Sequence, residues 1–175
     1  GKSTLLKIMA GIETSDTGDV ANGHIKIEYL DQNPKLDESL TILEQVKKGL
    51  GKKNLDVLEY EAKSILTKLG FSDMNQVIKN LSGGQRRRVA LCCSLLYECD
   101  LLILDEPTNH LDMQSKEILK SALLNYEGTF LVVSHDREFL EDLTNRIWDI
   151  ENQTLKIHHF GVKEFLIRKM NAPQM

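Results

Sequence analysis

The chain has 175 residues, 41% hydrophobic and 27% charged, which is the composition of a globular protein with one sizeable core. Its formal charge of −4 excludes a general electrostatic attraction to nucleic acid, so any such contact must be local, as at the basic run Arg86 to Arg88. No apolar run is as long as a membrane span, and the N-terminus lacks the pattern of a secretory signal. Three dispersed cysteines without a C-x-x-C pair suit a reducing compartment. We therefore predict one soluble, cytoplasmic domain over 1–175.

The first residues look like the second half of a phosphate-binding loop that runs into a helix. Gly1, Lys2, Ser3 and Thr4 match the end of the pattern G-x-x-x-x-G-K-[ST]. In that pattern backbone N–H groups and the lysine bind phosphates, and the hydroxyl binds Mg²⁺. Because the first half of the loop and the strand before it do not precede Gly1, we expect an N-terminally truncated fragment.

A half-exposed strand and a helical region follow. Residues 25–30 alternate between apolar and polar side chains, and Gln32 comes directly after them. A glutamine at a strand end is more often a surface amide, so its role depends on what it faces. From about Thr41 to Asn80 charged helical segments predict an inserted helical subdomain, with a flexible turn at 49–54.

The segment Leu81-Ser82-Gly83-Gly84-Gln85 begins a predicted helix that extends to Tyr97. Two glycines and a serine at a helix N-terminus expose backbone N–H groups that suit an anion. In the alternative interpretation Ser82 is an ordinary N-cap, which explains the serine but not the paired glycines. Arg86 to Arg88 are predicted to form a solvated helix face.

The most informative stretch is 101–108, where four apolar residues end in Asp105, Glu106 and Pro107. This pattern predicts a buried parallel strand whose C-terminal end opens onto a site, because proline cannot continue a central strand. Asp105 is then placed to orient Mg²⁺, and Glu106 to polarise an attacking water. The alternative is a strand end with two solvated acids.

A second strand is predicted at 129–133, buried and parallel to the first after a helical crossover. It would bring Ser134, His135 and Asp136 to the same sheet edge as Asp105, although Asp136 could simply cap the next helix. A hairpin at 147–158, a closing helix over 162–170 and a tail at 171–175 complete the chain.

Taken together, these motifs resemble the ATP-binding cassette (ABC) domain. They are G-K-S-T at 1–4, Gln32, L-S-G-G-Q at 81–85, L-L-I-L-D-E-P-T at 101–108, N-H-L-D at 109–112 and S-H-D at 134–136. The resemblance implies an α/β fold of the P-loop NTPase (RecA-like) type, in which helices flank a parallel sheet. It also implies a division into an α/β core (1–35 and 98–160), an inserted helical signature subdomain (about 36–97) and a closing helix with its tail (161–175).

Within that superfamily the sequence is similar to the ABC-F class, whose members are soluble, carry two cassettes in one polypeptide and act at the ribosome. The similarity rests on N-H-L-D followed by V-S-H-D-R-E-F-L at 133–140. Transporter cassettes more often have S-A-L-D at 109–112 and a longer run between Lys2 and Gln32. Residues 159–166 are similar to the segment that closes ABC-F cassettes, although this match is looser.

The resemblance also implies a role for each matching residue. Lys2 contacts the β- and γ-phosphates of ATP, Ser3 and Asp105 hold Mg²⁺, Gln32 senses the metal and the attacking water, Glu106 is the catalytic base, and His135 steadies the γ-phosphate; Gly1 and Thr4 belong to the same ATP-binding segment. Ser82, Gly83 and Gly84, with Gln85 beside them, would bind the γ-phosphate of a nucleotide held by a second cassette. Asp112 would lie at the same interface.

The implied function is an ATPase cassette whose partners are a second cassette and the ribosome or its rRNA, in translation or antibiotic protection, without membrane insertion. The alternatives are the nucleotide-binding subunit of a membrane transporter, and a truncated product with only a binding role. The run Gln85 to Arg88 favours a first cassette, whereas the closing segment resembles a second. Because the front of the phosphate loop is missing, we expect the 175-residue piece alone to bind ATP poorly and hydrolyse it negligibly.

Overall fold

The computed structural model describes residues 1–50 and 55–172. Part of the predicted turn at 49–54 and the end of the predicted tail lie outside these residues. The helices are α1 (Lys2–Met9), α2 (Ile42–Gly49), α3 (Leu55–Lys68), α4 (Gly83–Leu96), α5 (Met113–Leu124), α6 (Arg137–Leu140) and α7 (Val162–Met170), with one 3₁₀ turn at Ile78–Asn80; the strands are β1 (Ile27–Leu30), β2 (Leu101–Asp105), β3 (Thr129–Val133), β4 (Ile147–Glu151) and β5 (Thr154–His158).

The central sheet has the strand order β1-β2-β3, and both pairings are parallel. This confirms the predicted parallel α/β arrangement, with α5 as the crossover from β2 to β3. In the middle strand Leu102, Ile103 and Leu104 are fully buried, as the apolar run predicts. Asp105 pairs with Val133, so β2 and β3 end at the same level and the polar residues that follow them lie at one edge.

The prediction that β3 is a buried strand was wrong in one respect. Its residues 130–133 are only half-buried, and Thr129 is exposed. Among the described strands β3 pairs only with β2, so one of its sides has no neighbouring strand to cover it. An apolar run predicts that a strand forms, but the number of neighbouring strands decides how deeply it is buried.

The helical region between β1 and α4 has a hydrophobic core of its own. Thr41 and Glu44 form a capping box that starts α2, and Gly70, at a φ of +93°, ends the turn after α3. The apolar face of α3 packs into this core, which contains Ile42, Val46, Ala62, Leu66, Leu69, Phe71, Ile78, Leu81, Val89 and Cys92.

Helix α4 joins this helical core to the core beneath the sheet. Val89 and Cys92 pack among the helical residues, whereas Ala90 and Leu91 pack with Leu102 of β2 and its neighbours. Because consecutive residues of one helix belong to both cores, the N-terminal end of α4 is held in a fixed position relative to the sheet.

The basic run of α4 is not the solvated face that the sequence predicts. Arg86 donates to Glu38 Oε1 (2.8 Å) and Arg88 donates to the Leu69 carbonyl (2.8 Å), while the Arg88 guanidinium lies 5.6 Å from the centre of the Phe71 ring. All three arginines are partly buried. The long side chains reach past the helix surface to carbonyls and carboxylates of neighbouring segments, which a one-dimensional pattern does not reveal.

The C-terminal part contains the predicted hairpin and closing helix. Strands β4 and β5 pair in antiparallel fashion around Asn152 and Gln153, which both have positive φ, as a two-residue turn requires. Lys169 of α7 pairs with Glu151 and Asp149 of β4. None of the helices in the described ranges is long and apolar enough to cross a membrane.

Candidate functional site

A small cavity lies at the C-terminal ends of β1 and β2. Gln32, Asp105 and Glu106 line it together with Arg87 and Pro107. Its volume is about 20 Å³, which is room for about one water molecule. The glutamine and the two acids that the sequence singles out are therefore brought together at one point.

Asp105 is the most deeply placed acid of the site, with 3% of its surface exposed. Its Oδ2 accepts a hydrogen bond from the Tyr29 hydroxyl at 2.9 Å. Its Oδ1 is buried and has no hydrogen-bond partner among the described residues. A buried carboxylate oxygen without a partner is unfavourable unless a ligand satisfies it. A hard cation such as Mg²⁺ would satisfy this oxygen, because Mg²⁺ usually binds one or two carboxylates together with phosphate oxygens of a substrate.

Tyr29 is a residue of the site that the sequence does not identify. It pairs with Ile103 in the parallel ladder, so its side chain lies on the same side of the sheet as that of Asp105, two residues further along β2. Burial raises the pKa of its phenol, and the neighbouring Asp105 raises it further, so the hydroxyl stays protonated and donates. Only the register of β1 against β2 reveals this contact.

Glu106 occupies an unusual backbone conformation directly after β2. Its φ is +48°, a region that favours glycine, and its N–H donates to the Val133 carbonyl at 2.8 Å. Its carbonyl accepts from the Asn109 N–H at 3.2 Å. Two neighbouring segments thus hold the turn that places the buried Glu106 carboxylate at the cavity.

His135 lies against Glu106, as expected from its place after β3. The imidazole Nε2 is 3.2 Å from Glu106 Oε1, and the His135 backbone N–H donates to Glu106 Oε2 at 3.4 Å. The histidine side chain is 87% exposed, whereas that of Glu106 is 10% exposed. The histidine therefore covers the outer side of the acid and remains accessible to a ligand.

Arg87 connects three segments around the cavity. Its guanidinium donates to the Gln32 carbonyl and, at 3.0 Å, to the Asn109 carbonyl. It thereby ties helix α4 to the loop after β1 and to the loop after β2. The positions of Gln32 and of the N-H-L-D loop are therefore mechanically linked to α4.

The residues of the phosphate-loop motif lie at the start of α1. Gly1 is the N-cap, and Lys2 and Thr4 are exposed while Ser3 is partly buried. Helix α1 packs against β2. Within residues 1–50 and 55–172 no hydrogen bond joins Lys2 or Ser3 to Asp105 or Glu106. The structure thus places Gln32, Asp105 and Glu106 around one cavity, with His135 against Glu106, and it leaves the motif residues at a separate helix N-terminus.

Comparison with known proteins identifies the family. A model of the family described as ABC transporter matches residues 1–109, which is more than half of the chain. This chain belongs to the ABC transporter family. The cassette is 36% identical over 178 residues to ABC transporter F family member 5 of Arabidopsis thaliana, a match covering 98% of this chain and 25% of that protein.

A second relative of the cassette is the energy-dependent translational throttle protein EttA of Haemophilus influenzae. It is 35% identical over 190 residues, covering 86% of this chain and 34% of EttA. Among solved structures, a model of ribosome-bound archaeal Pelota and ABCE1 aligns with a TM-score of 0.78 and 26% identity, over 96% of this chain and 30% of that one. The cassette spans about a third of the length of the curated relatives it matches.

Residues 82–85 of the cassette, here called the signature segment, start α4; Ser82 and Gly83 are exposed, and Gly84 and Gln85 are partly buried. Ser82 caps α4 by accepting from the Gln85 N–H (3.2 Å), and Gln85 Oε1 accepts from the Ser82 N–H (2.9 Å). This confirms the N-cap interpretation of Ser82. A Cβ added to Gly83 or Gly84 would meet no described atom within 4 Å. The capping box accounts for Ser82 and Gln85, but the local fold gives no reason for the two glycines.

Two further acids of the cassette cap helices. Asp112 accepts from the Ser115 N–H at 2.7 Å to start α5, and this contact lowers the pKa of Asp112. Asp136 accepts from the Phe139 N–H (3.1 Å) and pairs with Lys116 at 2.7 Å, which lowers its pKa. The prediction that Asp136 caps the next helix is confirmed. Asp112 itself is exposed, so its cap does not preclude a contact with another molecule.

Proposed function

We propose that this chain is an ATP-binding and ATP-hydrolysing cassette of an ABC-F protein. The full-length protein would use Mg-ATP to close two cassettes and would act on the ribosome in the cytoplasm, as a translation factor or in antibiotic protection. The observation that carries this proposal is the water-sized cavity at the ends of β1 and β2, lined by Gln32, Asp105 and Glu106. An acid beside a water-sized space is the arrangement that hydrolysis requires.

Nucleotide binding begins at the start of α1. Lys2 supplies a positive charge for the β- and γ-phosphates, while Gly1 and Thr4 complete the motif at the helix N-terminus. Ser3 and the unpaired Oδ1 of Asp105 would hold Mg²⁺. When bound, the metal neutralises phosphate charge. Phosphoryl transfer depends mainly on such positioning and neutralisation, so fixed side chains can supply most of the catalysis.

Glu106 is the proposed general base. It lines the cavity, so its carboxylate would accept a proton from a water held there as that water attacks the γ-phosphate. Gln32 would orient the same water. His135, in contact with Glu106 and open to solvent, would steady the γ-phosphate. The shared cavity of Gln32 and Glu106 and the contact of His135 with Glu106 support these roles.

A second cassette would complete the site. The signature segment consists of Ser82, Gly83, Gly84 and Gln85, of which the first two are exposed and the last two partly buried. The N–H groups and positive dipole of this helix start suit a phosphate held by another cassette. Asp112 would lie at the same interface. ATP would then join the two cassettes, and hydrolysis would release them.

Action at the ribosome is favoured over a transporter role by three observations. The chain carries N-H-L-D at 109–112, and its relatives include an F family member and a protein named as a translational throttle. A structural neighbour is a ribosome-bound complex. The alternative is the nucleotide-binding subunit of a membrane transporter.

The proposal is tested by Glu106→Gln in the full-length protein. The amide keeps the shape but cannot accept the proton, so we expect ATP hydrolysis to fall by roughly 100-fold or more. ATP binding should persist, because Glu106 does not hold the nucleotide. Phosphate release measures hydrolysis, and equilibrium binding of labelled ATP measures affinity. The matched control is Glu127→Gln, an exposed acid away from the site.

The same variant tests the partner. Because it binds ATP without hydrolysing it, we expect ATP to increase its co-sedimentation with ribosomes, whereas ADP should not. Retention of hydrolysis by Glu106→Gln would contradict the assignment of the base. Absence of ribosome binding combined with stable association with a membrane-spanning partner would replace the ribosomal proposal by the transporter alternative.

A further inference from the structure

The hydrogen bond between Tyr29 and Asp105 links a side chain with no assigned role to the proposed metal ligand. The phenol oxygen lies 2.9 Å from Asp105 Oδ2, and it comes from a neighbouring strand rather than from a loop. We propose that Tyr29 is a positioning residue for Mg²⁺, which holds one oxygen of Asp105 so that the other oxygen faces the metal. This inference rests on the proposed function and adds a residue to its metal site.

The two carboxylate oxygens of Asp105 have different surroundings. Oδ2 accepts from Tyr29, and Oδ1 is buried without a partner among the described residues. The terminal torsion of an aspartate is broad, so a carboxylate without a fixed partner can rotate and exchange its two oxygens. The Tyr29 hydroxyl suppresses this rotation and leaves one defined oxygen for a ligand.

The hydroxyl donor, Tyr29, is held in place by the sheet. Tyr29 lies within β1, whose four residues pair with residues 101–104 of β2. The phenol is therefore anchored to the same sheet that carries Asp105, and the distance between the two groups does not depend on a mobile loop. Partners that orient metal ligands in this way commonly change metal affinity by about 10- to 100-fold when they are removed.

A merely structural role for the hydroxyl is the main competing explanation. The backbone ladder already joins β1 to β2 along the whole of β1, so the strands do not need the phenol to stay paired. Phenylalanine would also keep the packing of the ring. A purely structural hydrogen bond would thus change overall stability without a specific effect on the metal.

The test is Tyr29→Phe in the full-length protein. Binding of Mn²⁺ as a substitute for Mg²⁺, measured by electron paramagnetic resonance with a non-hydrolysable ATP analogue present, is expected to weaken about tenfold. Binding of the same analogue in EDTA should change by less than about twofold, because the metal is then absent. Tyr60→Phe, which alters a largely exposed tyrosine, is the matched control and should change neither value.

A second variant keeps the test decisive. Asp105→Asn removes the proposed ligand, so adding Tyr29→Phe to it should weaken Mn²⁺ binding no further. Additive losses, an unchanged Mn²⁺ affinity in Tyr29→Phe, or equal losses of analogue binding with and without metal would each overturn the inference. If the wild-type protein did not bind Mn²⁺ together with the nucleotide analogue, the proposed function itself would be refuted. That outcome is seen in the wild-type measurement alone, so it is distinguishable from a failure of the inference about Tyr29.

Discussion

Glu106 shows how a single residue can be held in a conformation that its own chemistry disfavours. A non-glycine residue with positive φ costs on the order of 1–3 kcal/mol, yet Glu106 adopts a φ of +48°. The hydrogen bond from its N–H to Val133 and the one from Asn109 to its carbonyl fix the turn. As a result, the backbone leaves the strand after Asp105, and Glu106 lines the cavity.

The contact of His135 with Glu106 leads to a prediction at this scale. Because the imidazole is 87% exposed, His135→Ala should leave the melting temperature nearly unchanged. It removes the group proposed to steady the γ-phosphate, so we expect ATP hydrolysis by the full-length protein to fall on the order of 100-fold. Phosphate release and thermal unfolding measure the two effects.

His24→Ala is the control for this prediction, since His24 is exposed and lies before β1. It should alter neither hydrolysis nor stability. Normal turnover by His135→Ala would mean that the contact with Glu106 has no part in the reaction.

At the residue scale the sequence predicts those site members that interrupt a pattern. Asp105 and Glu106 end an apolar run abruptly, and His135 follows a second strand. Tyr29 and Arg87 interrupt no pattern, because a tyrosine in a strand and an arginine in a helix are ordinary. Their contacts arise from segments that are 76 and 55 residues apart, so they become visible only in three dimensions.

At the scale of elements, the ion pairs of Glu59 join two helices of the signature region. Lys47 of α2 lies 2.8 Å from Glu59 Oε2, and Lys63 of α3 lies 2.9 Å from Oε1. The hydrogen bond from Lys47 and then that from Lys63 lower the pKa of Glu59 to about 2. Both ion pairs of Glu59 are partly open to solvent, so their contribution to stability should be small and dependent on salt.

The lowered pKa of Glu59 predicts a pH dependence. A carboxylate whose pKa is lower in the folded state stabilises the protein fully above its ordinary value of 4.5, and this stabilisation is lost as the pH falls from there to about 2. At pH 7, Glu59→Gln should therefore speed amide hydrogen exchange in α2 and α3 about two- to threefold. The difference from wild type should shrink steadily below pH 4.5.

Hydrogen exchange followed by mass spectrometry compares the variant and the wild type at each pH, so intrinsic exchange rates cancel. Glu61→Gln alters an exposed acid of the same helix and should show no such trend. A difference between Glu59→Gln and wild type that is the same at pH 7 and pH 3 would rule out the ion pairs as its cause.

Elements were predictable where local chemistry and tertiary contacts agree. The hairpin, the closing helix and the middle strand lie where periodicity and turn residues indicate, because each carries its own start and stop signals. The half-buried state of β3 and the engaged arginines of α4 were mispredicted. Both depend on which segments pack beside the element, and a sequence pattern does not contain that information.

At the scale of the whole molecule, α4 joins the signature segment to the cavity at the ends of β1 and β2. Ser82 and Gly83 at its start are exposed, its middle packs into both hydrophobic cores, and Arg87 reaches the carbonyls of Gln32 and Asn109. A partner that contacts Ser82 or Gly84 would therefore act on a helix that also contacts the loops after β1 and β2. This geometry suits a site that becomes complete only when two cassettes meet.

The glycines of the signature segment allow a test of that arrangement. A Cβ at Gly84 would meet no described atom within 4 Å, and alanine is the better helix former, so Gly84→Ala should fold at least as stably as wild type. If a phosphate of a second cassette must approach the bare backbone there, the methyl group would cost a hydrogen bond to a charged group. ATP-driven closure should then need about tenfold more ATP.

Closure can be followed by energy transfer between dyes on the two cassettes of the full-length protein, in a Glu106→Gln background that prevents hydrolysis. Gly49→Ala is the matched control, because Gly49 is also a helical glycine whose added Cβ would meet no described atom. It should leave closure unchanged. Since the fold itself does not require Gly84 to lack a side chain, a closure defect confined to Gly84→Ala must come from something outside this cassette. Equal closure in both variants would remove the reason to place a second nucleotide at the start of α4.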